Sequence, residues 1–248
     1  MRIIADLHIH SCLSPCGDLS MSPRRIAQEA ARKRLSLIAL TDHNSALNCP
    51  AFADACRKEG ISALFGIEVT TVEEIHVLAL FPTVEQALEL SEEISRHLPR
   101  IPFDPERLGD QVYVNAEEEI LGEVDTYLGV GTHFSLDGLF SFVHAMEGLF
   151  IPSHIDRPVN SLLSQLGRIP ELSYSALEIT RWPPPLRDYP CVSNSDAHIP
   201  ELIGTRYTLF EGDAPDFGAL RKALEEGRVV PFLSTMLKLS NNVTPRTR

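Results

Sequence analysis

Short apolar runs alternate along this chain with amphipathic helical segments, and several of the runs end in histidine and carboxylate side chains. That alternation constrains the fold more than any other feature. Arg2 to Leu7 reads as a strand, and in Asp6-Leu7-His8-Ile9-His10 the polar residues take alternate positions, hence one strand face. Ser22 followed by Pro23 marks a helix start, the hydroxyl serving as cap and proline taking the first helical position; this helix is expected to reach about Arg34. Further strands are read at 35–41, in ALFGIEVTT, at 75–81, 149–153, 176–180 and 190–194, and in RYTLF. Helices are read near 50–59, 83–98, 136–147 and 215–226. Such alternation predicts an α/β fold of parallel strands with helices packed outside. A length of 248 residues suits one barrel of this kind.

The rhythm breaks between Pro99 and about Thr132. A proline-rich connection, PRIPFDPERLG, leads to QVYVNAEEEILGEV, which reads as two short strands around an acidic turn. This stretch is too small for a core of its own. We therefore expect a barrel domain over 1–239 with a small inserted hairpin region at about 99–132, and a loose tail at 240–248.

Thirty-four Asp and Glu against twenty-two Lys and Arg give a formal charge of −12, which offers no broad basic face for long nucleic acid. No apolar run is long enough to span a membrane, and the N-terminal segment lacks the apolar core of a signal peptide. A cytoplasmic protein is the expectation. The five cysteines, Cys12, Cys16, Cys49, Cys56 and Cys191, do not suggest a disulfide framework. Cys12 and Cys16 flank a turn at a spacing that matches neither a redox motif nor a zinc ribbon, and read as buried or incidental thiols.

The chemistry lies at the strand ends. Two residues of strand rise span roughly 6.6 Å, so a relaxed strand end brings two adjacent members of the first motif to one ion, but not three. His8 and His10 are taken as ligands, with Asp6 orienting an imidazole from deeper in the barrel. The second strand ends in Thr41-Asp42-His43-Asn44, the third in Gly66-Ile67-Glu68-Val69, and the fourth opens at Ile75-His76-Val77. Later come Pro152-Ser153-His154-Ile155-Asp156 and Ser195-Asp196-Ala197-His198. A single histidine at a strand end is an ordinary core residue. Six of the nine at strand boundaries, matched to carboxylates on neighbouring strands, point to metal. His8, His10, His43, His76, His154 and His198, with Glu68, Asp196 and Asp18, exceed what one ion needs and suit two or three. Mixed imidazole and carboxylate donors favour Mn, Zn or Fe.

The motifs DLHIHS, TDHN, GIEV, SHID and SDAH, in this order, resemble the PHP (polymerase and histidinol phosphatase) family over nearly the whole chain. The resemblance implies a distorted (β/α)7 TIM-like barrel with a trinuclear metal site that hydrolyses phosphate esters. It implies one ion held by His8, His10, Glu68 and Asp196, and a second, bridged by Glu68, held by His76 and His154. The third would be held by His43, His198 and an acid from the first loop. Relatives often carry Ser-Asp-Gly directly after the first histidines; here the loop reads Ser11-Cys12-Leu13-Ser14-Pro15-Cys16-Gly17-Asp18, so Asp18 is assigned to the third ion. In His154-Ile155-Asp156-Arg157-Pro158, where many relatives read His-Pro, Arg157 either clamps a phosphate or pairs with Asp156. Arg181 is a second candidate phosphate contact. Trp182, followed by three prolines, either stacks a base or shields the barrel mouth. His97, His133 and His144 are read as surface or packing residues, and Asp42 and Asp156 as outer partners of the ligands.

The expected activity is hydrolysis of a phosphate ester of a small molecule, nucleotide or short oligonucleotide by a metal-activated hydroxide, as a phosphatase or a short-substrate 5′–3′ exonuclease. Glu68 and Asp196 would act through the ions, and either His198 or a second water would protonate the leaving group. Two other readings remain. An amidohydrolase on a related barrel would call for a lysine at a strand end, whereas Lys33, Lys58, Lys222 and Lys238 fall in helices or the tail. A non-catalytic metal-binding module would lack ligands.

Overall fold

The computed structural model describes residues 1–233 apart from 103 and 186–187; the expected tail at 240–248 lies outside the described residues. In chain order the elements are β1 (Arg2–Ile9), α1 (Pro23–Arg32), β2 (Leu37–Leu40), α2 (Cys49–Glu59), β3 (Ser62–Thr70), β4 (His76–Phe81), α3 (Val84–His97), α4 (Pro105–Leu108), β5 (Val112–Val114) and β6 (Ile120–Glu123). They continue with α5 (Leu136–Ala145), β7 (Leu149–Pro152), α6 (Leu162–Leu166), β8 (Leu177–Glu178), β9 (Cys191–Val192), β10 (Tyr207–Glu211), α7 (Phe217–Glu225) and β11 (Val229–Phe232). Local chemistry sets several ends. The Ser22 hydroxyl accepts the Arg25 N–H with Pro23 opening α1, and Gly60, at φ +70°, closes α2 in the left-handed region.

Seven strands form a curled sheet in the order β11-β10-β1-β2-β3-β4-β7. The β1–β2 and β2–β3 pairs are parallel, as alternation predicts, but β3–β4 and β4–β7 are antiparallel. Strands β3 and β4 are joined only by residues 71–75, far short of the crossover that a parallel pair requires. The reversal has a functional consequence. It brings the first residue of β4, His76, opposite Thr70 near the end of β3, and β7 then ends beside the start of β4 through the Val77–Pro152 pairing. One rim therefore collects the ends of β1, β2, β3 and β7 together with the beginning of β4. On the other flank, β10 and β11 add as antiparallel strands. The short parallel pair β8–β9 fills the gap between β7 and β1: Ser175 N–H donates to Phe150 O, and Ile9 bridges to Ala197. The result is a distorted, incompletely hydrogen-bonded barrel. The expected hairpin is present as β5–β6, around the turn at 115–119.

Two apolar layers follow from the strand period of two. Leu37, Leu64, Leu78, Leu80, Leu149 and Ile151 face one cluster with Ile3, Ala5, Leu7 and α7 residues. Ile38, Leu40, Ile67, Val77, Ala79 and Phe150 face the other, with α1, α2, α3 and α5. Glu68 shares its β3 face with Leu64, and His76 shares its β4 face with Leu78 and Leu80. The polar rim thus stands on an apolar plug. Among the described residues no helix is long and apolar enough to cross a membrane.

Candidate metal centre

Glu68 organises the rim. Its Oε1 lies 3.3 Å from His8 Nε2, 3.2 Å from His76 Nδ1 and 3.1 Å from His154 Nε2. Its Oε2 lies 3.3 Å from both His10 Nε2 and His43 Nδ1. Asp196 Oδ1 stands 3.3 Å from the Nε2 atoms of both His8 and His10. The backbone is strained where it delivers these groups: Asn44, His154 and Asp196 have φ of +51°, +29° and +53°. Asn44 repays part of this by donating to Leu128 O and Val130 O and accepting from Thr70 N–H, which ties the loop after β2 to β3.

Among the described residues of the rim, three sets of donor atoms lie mutually within 4.8 Å: His8, His10, Glu68 and Asp196; His43, Glu68 and His76; and His10, Cys16, His43 and His198. The first brings together the four residues expected to share an ion. In the second, Glu68 meets His76, and His154 reaches the same carboxylate. The third differs from expectation. Asp18 is exposed and its carboxylate accepts the Ser20 N–H, as a turn aspartate does, while Cys16 from the same loop joins the histidines.

The residues fit divalent ions. His43 Nδ1 and His76 Nδ1 are buried, stand 3.3 and 3.2 Å from Glu68 oxygens and make no hydrogen bond among the described residues, an arrangement that a cation between nitrogen and carboxylate would satisfy. Imidazole nitrogens facing carboxylate oxygens suit Mn, Zn or Fe. Electrostatics agree. Burial opposes the charge on Glu68, but the charges of His8 and His76 and hydrogen bonds from His10 and His154 hold it well below the usual carboxylate range. Burial likewise opposes a charge on His10, yet hydrogen bonds to Asp196 and Glu68 push its pKa up to about 9. Burial and the neighbouring His10 push His198 down to about 4, and its Nδ1 bonds the Asp196 carbonyl at 2.9 Å. His198 is therefore neutral near pH 7, with its Nε2 lone pair free: the state of a ligand rather than of a proton donor. Burial, with Glu68 and Asp196, pushes the Cys16 thiol up to about 12.

The outer partners are partly those expected. Asp42 accepts from Ser11 N–H, Ser11 Oγ–H and Ser14 Oγ–H, and Ser14 Oγ bonds His10 Nδ1 at 2.9 Å, so Asp42 acts on His10 through a serine. Asp6 does not orient an imidazole. The β1–β2 register shifts between Asp6 and Ile9, and the Asp6 carboxylate accepts from Ser195 N–H and Gly204 N–H instead. The residue that orients His8 is Glu178, unforeseen from the sequence, with its oxygens 3.1 and 3.2 Å from His8 Nδ1. It also accepts from His154 N–H and from Asn194 Nδ2. Its one sequence signal is a carboxylate in the apolar strand Leu177-Glu178-Ile179.

Arg157 pairs with Asp196 rather than with Asp156. Asp156 accepts from Thr180 N–H and Arg181 N–H and braces the strand end after β8. Asp156, Arg157, Arg181, Trp182 and Pro183 line a groove of about 940 Å³, and Arg157 links it to the rim through its pairing with Asp196. The Arg181 side chain is 73% exposed. His144 stacks on Phe140, and His97 and His133 form a separate group with Glu93.

Comparisons with known proteins agree with this geometry. The PHP domain model matches residues 6–148, and the PHP-associated model matches residues 186–229. The chain is 39% identical over 66 residues to an error-prone DNA polymerase of Nocardia farcinica, covering 27% of this chain and 6% of the polymerase. It is 30% identical over 83 residues to the 5′-3′ exoribonuclease Rnm of Salmonella typhimurium, covering 32% of this chain and 27% of the exoribonuclease. The lesion-specific endonuclease PfuEndoQ of Pyrococcus furiosus superposes with a TM-score of 0.68 at 21% identity, covering 93% of this chain and 58% of the endonuclease. The chain thus spans only part of the length of each.

Proposed function

The chain belongs to the PHP-domain family of metal-dependent phosphoesterases and nucleases, and from that premise we propose that it hydrolyses the phosphate ester of a nucleotide or short oligonucleotide. The observation that carries the reading is the convergence of His8, His10, His43, His76 and His154 on the single carboxylate of Glu68, with Asp196 beside it. His8, His10, Glu68 and Asp196 would hold one divalent ion, His76 and His154 with Glu68 would hold a second, and His43 with His198 a third. Such ions acidify water and neutralise phosphoryl oxygens.

The protein's own groups do the remaining work. Arg157 and Arg181 line the groove beside the rim and supply planar donors to a phosphate. Trp182, 45% exposed, offers a flat face for a base. Glu178 and the Ser14–Asp42 pair fix the tautomers of His8 and His10. Near neutral pH His198 is uncharged and its one N–H is held by the Asp196 carbonyl, so we assign the leaving group's proton to water. The setting is cytoplasmic.

A hydrolysis panel spanning nucleotides, nucleoside bisphosphates, short RNA and histidinol phosphate, with Mn supplied and both inorganic phosphate and nucleotide products measured, tests the reading. Release from a nucleotide or oligonucleotide, abolished in H8A and E68A, is expected. Full activity in either variant, or no release from any nucleotide substrate, overturns it.

A further inference from the structure

The loop between β1 and α1 is wound tightly against the rim. Ser14 N–H donates to Ser11 O, Gly17 N–H to Ser14 O, and Asp18 N–H to the backbone oxygen of His198. Gly17 is required there, since a Cβ would meet Ser11 O at 2.2 Å. These turns fix the backbone on both sides of Cys16 and present its thiol to the cluster, within 4.8 Å of ring nitrogens of His10, His43 and His198. Cys12, Cys49 and Cys191 each pair their sulfur with a backbone oxygen: Val112 O, Gly66 O and Tyr189 O. Neither Cys56 nor the exposed Cys16 makes a sulfur hydrogen bond among the described residues, and of the two only Cys16 lies within the histidine cluster. A second observation points to a ligand at the same place: His43 is 8% exposed, and its Nδ1, 3.3 Å from Glu68 Oε2, makes no hydrogen bond among the described residues.

We propose that Cys16 is a metal ligand, its thiolate joining His43 and His198 in a sulfur–nitrogen site that selects Zn(II) or Fe(II) over Mn(II) at one position of the cluster. His10 Nε2 faces Glu68 and Asp196 at 3.3 Å and belongs to the neighbouring position, so three protein ligands remain here, leaving a place for water or substrate. Coordination replaces the S–H bond by a metal–sulfur bond and releases the proton to solvent. Thiolate is a soft donor, whereas oxygen-rich sets suit Mn. This assignment also leaves Asp18 in its exposed turn, bonded to the Ser20 N–H.

The inference rests on the metal-centre reading above, and cobalt tests it separately. Loading the metal-free full chain with Co(II) is expected to give a near-ultraviolet thiolate-to-cobalt charge-transfer band. The band should vanish in C16S and C16D and persist in D18N. C16D should retain the cobalt content, as a carboxylate can coordinate in place of sulfur, which guards against mere misfolding. In competition between equal Zn and Mn, C16D should lose at least about tenfold of the wild-type preference for Zn at this position. No band in the cobalt-loaded wild type, or a band that survives in C16S, overturns the thiolate assignment. A protein that shows the band but hydrolyses neither a nucleotide nor a short oligonucleotide overturns the phosphoester reading alone.

Discussion

At the scale of single residues, the centre is a set of mutual charge compensations, and these make stability depend on pH in a definite direction. Without metal, His8 is held well above the usual imidazole range: burial opposes its charge, but Glu68, Glu178 and Asp196 outweigh burial. His10 is held at about 9. Both pKa values are raised above their unfolded values, so the stability they contribute is fully present below about 6.5 and is lost as pH rises through 9. His43 and His198 are depressed by burial, so their contribution instead falls away on the acid side. Urea unfolding of the metal-free protein should therefore show stability declining from pH 6.5 to 9, and metal loading near pH 7 should release protons into weakly buffered solution. A flat profile over that window would contradict the assigned charges. Glu178 is a sharper test. E178A removes the partner of His8 Nδ1 and leaves the His154 N–H and Asn194 Nδ2 without their acceptor. Metal affinity, measured by chelator competition, should fall roughly 10–100-fold.

At the scale of elements, the antiparallel β3–β4 pair carries both Glu68 and His76, so its close contact is a functional tolerance as well as a structural one. Gly66 permits that contact: a Cβ there would meet Ala79 O at 2.3 Å across the ladder. G66A should cost about 1–3 kcal/mol of stability, as overpacking does, and weaken metal binding by displacing Glu68 two residues on. Thermal unfolding with metal analysis reads both, and a variant equal to wild type in each would show that the ladder yields freely. Much of this scale was legible in the sequence. The strand-end motifs placed Glu68, Asp196 and the six histidines on one rim because each adjoins a strand, His76 at its start and the others at its end. Alternation alone could not give strand direction; the five residues joining β3 to β4 do, through the length limit on crossovers. β11 escaped notice because Pro231 interrupts Val-Val-Pro-Phe, and proline is tolerated there since β11 is an edge strand. Asp6 was misplaced because a shifted register breaks the simple period of two. Glu178 carried no motif: its role depends on β8 folding back beside β1, a contact at a sequence separation of 170 residues.

At the scale of the whole molecule, the charge of −12 opposes anionic substrates, while the groove lined by Asp156, Arg157 and Arg181 places two guanidinium groups beside the rim. The groove beside the rim presents Arg157 and Arg181, and Arg157 is itself engaged with Asp196. Two or three divalent ions would add about +4 to +6 at the mouth by counting, so an anionic substrate is attracted where the chemistry occurs and repelled elsewhere. Binding should thus depend on the substrate's end and not on its length. For single strands, log K falls with log salt at about −0.7 per phosphate neutralised. With two arginines as the contacts the slope should be about −1 to −2. A surface tracking six or more phosphates would give roughly −4 or steeper. Fluorescence anisotropy with non-hydrolysable phosphorothioate strands of increasing length, on the metal-loaded protein, separates these cases. The affinity should level off after the first few nucleotides, with a shallow salt slope throughout. Affinity that climbs steadily with length, together with a steep slope, would mean that a phosphate path exists outside the groove and that the acidic exterior does not limit the substrate.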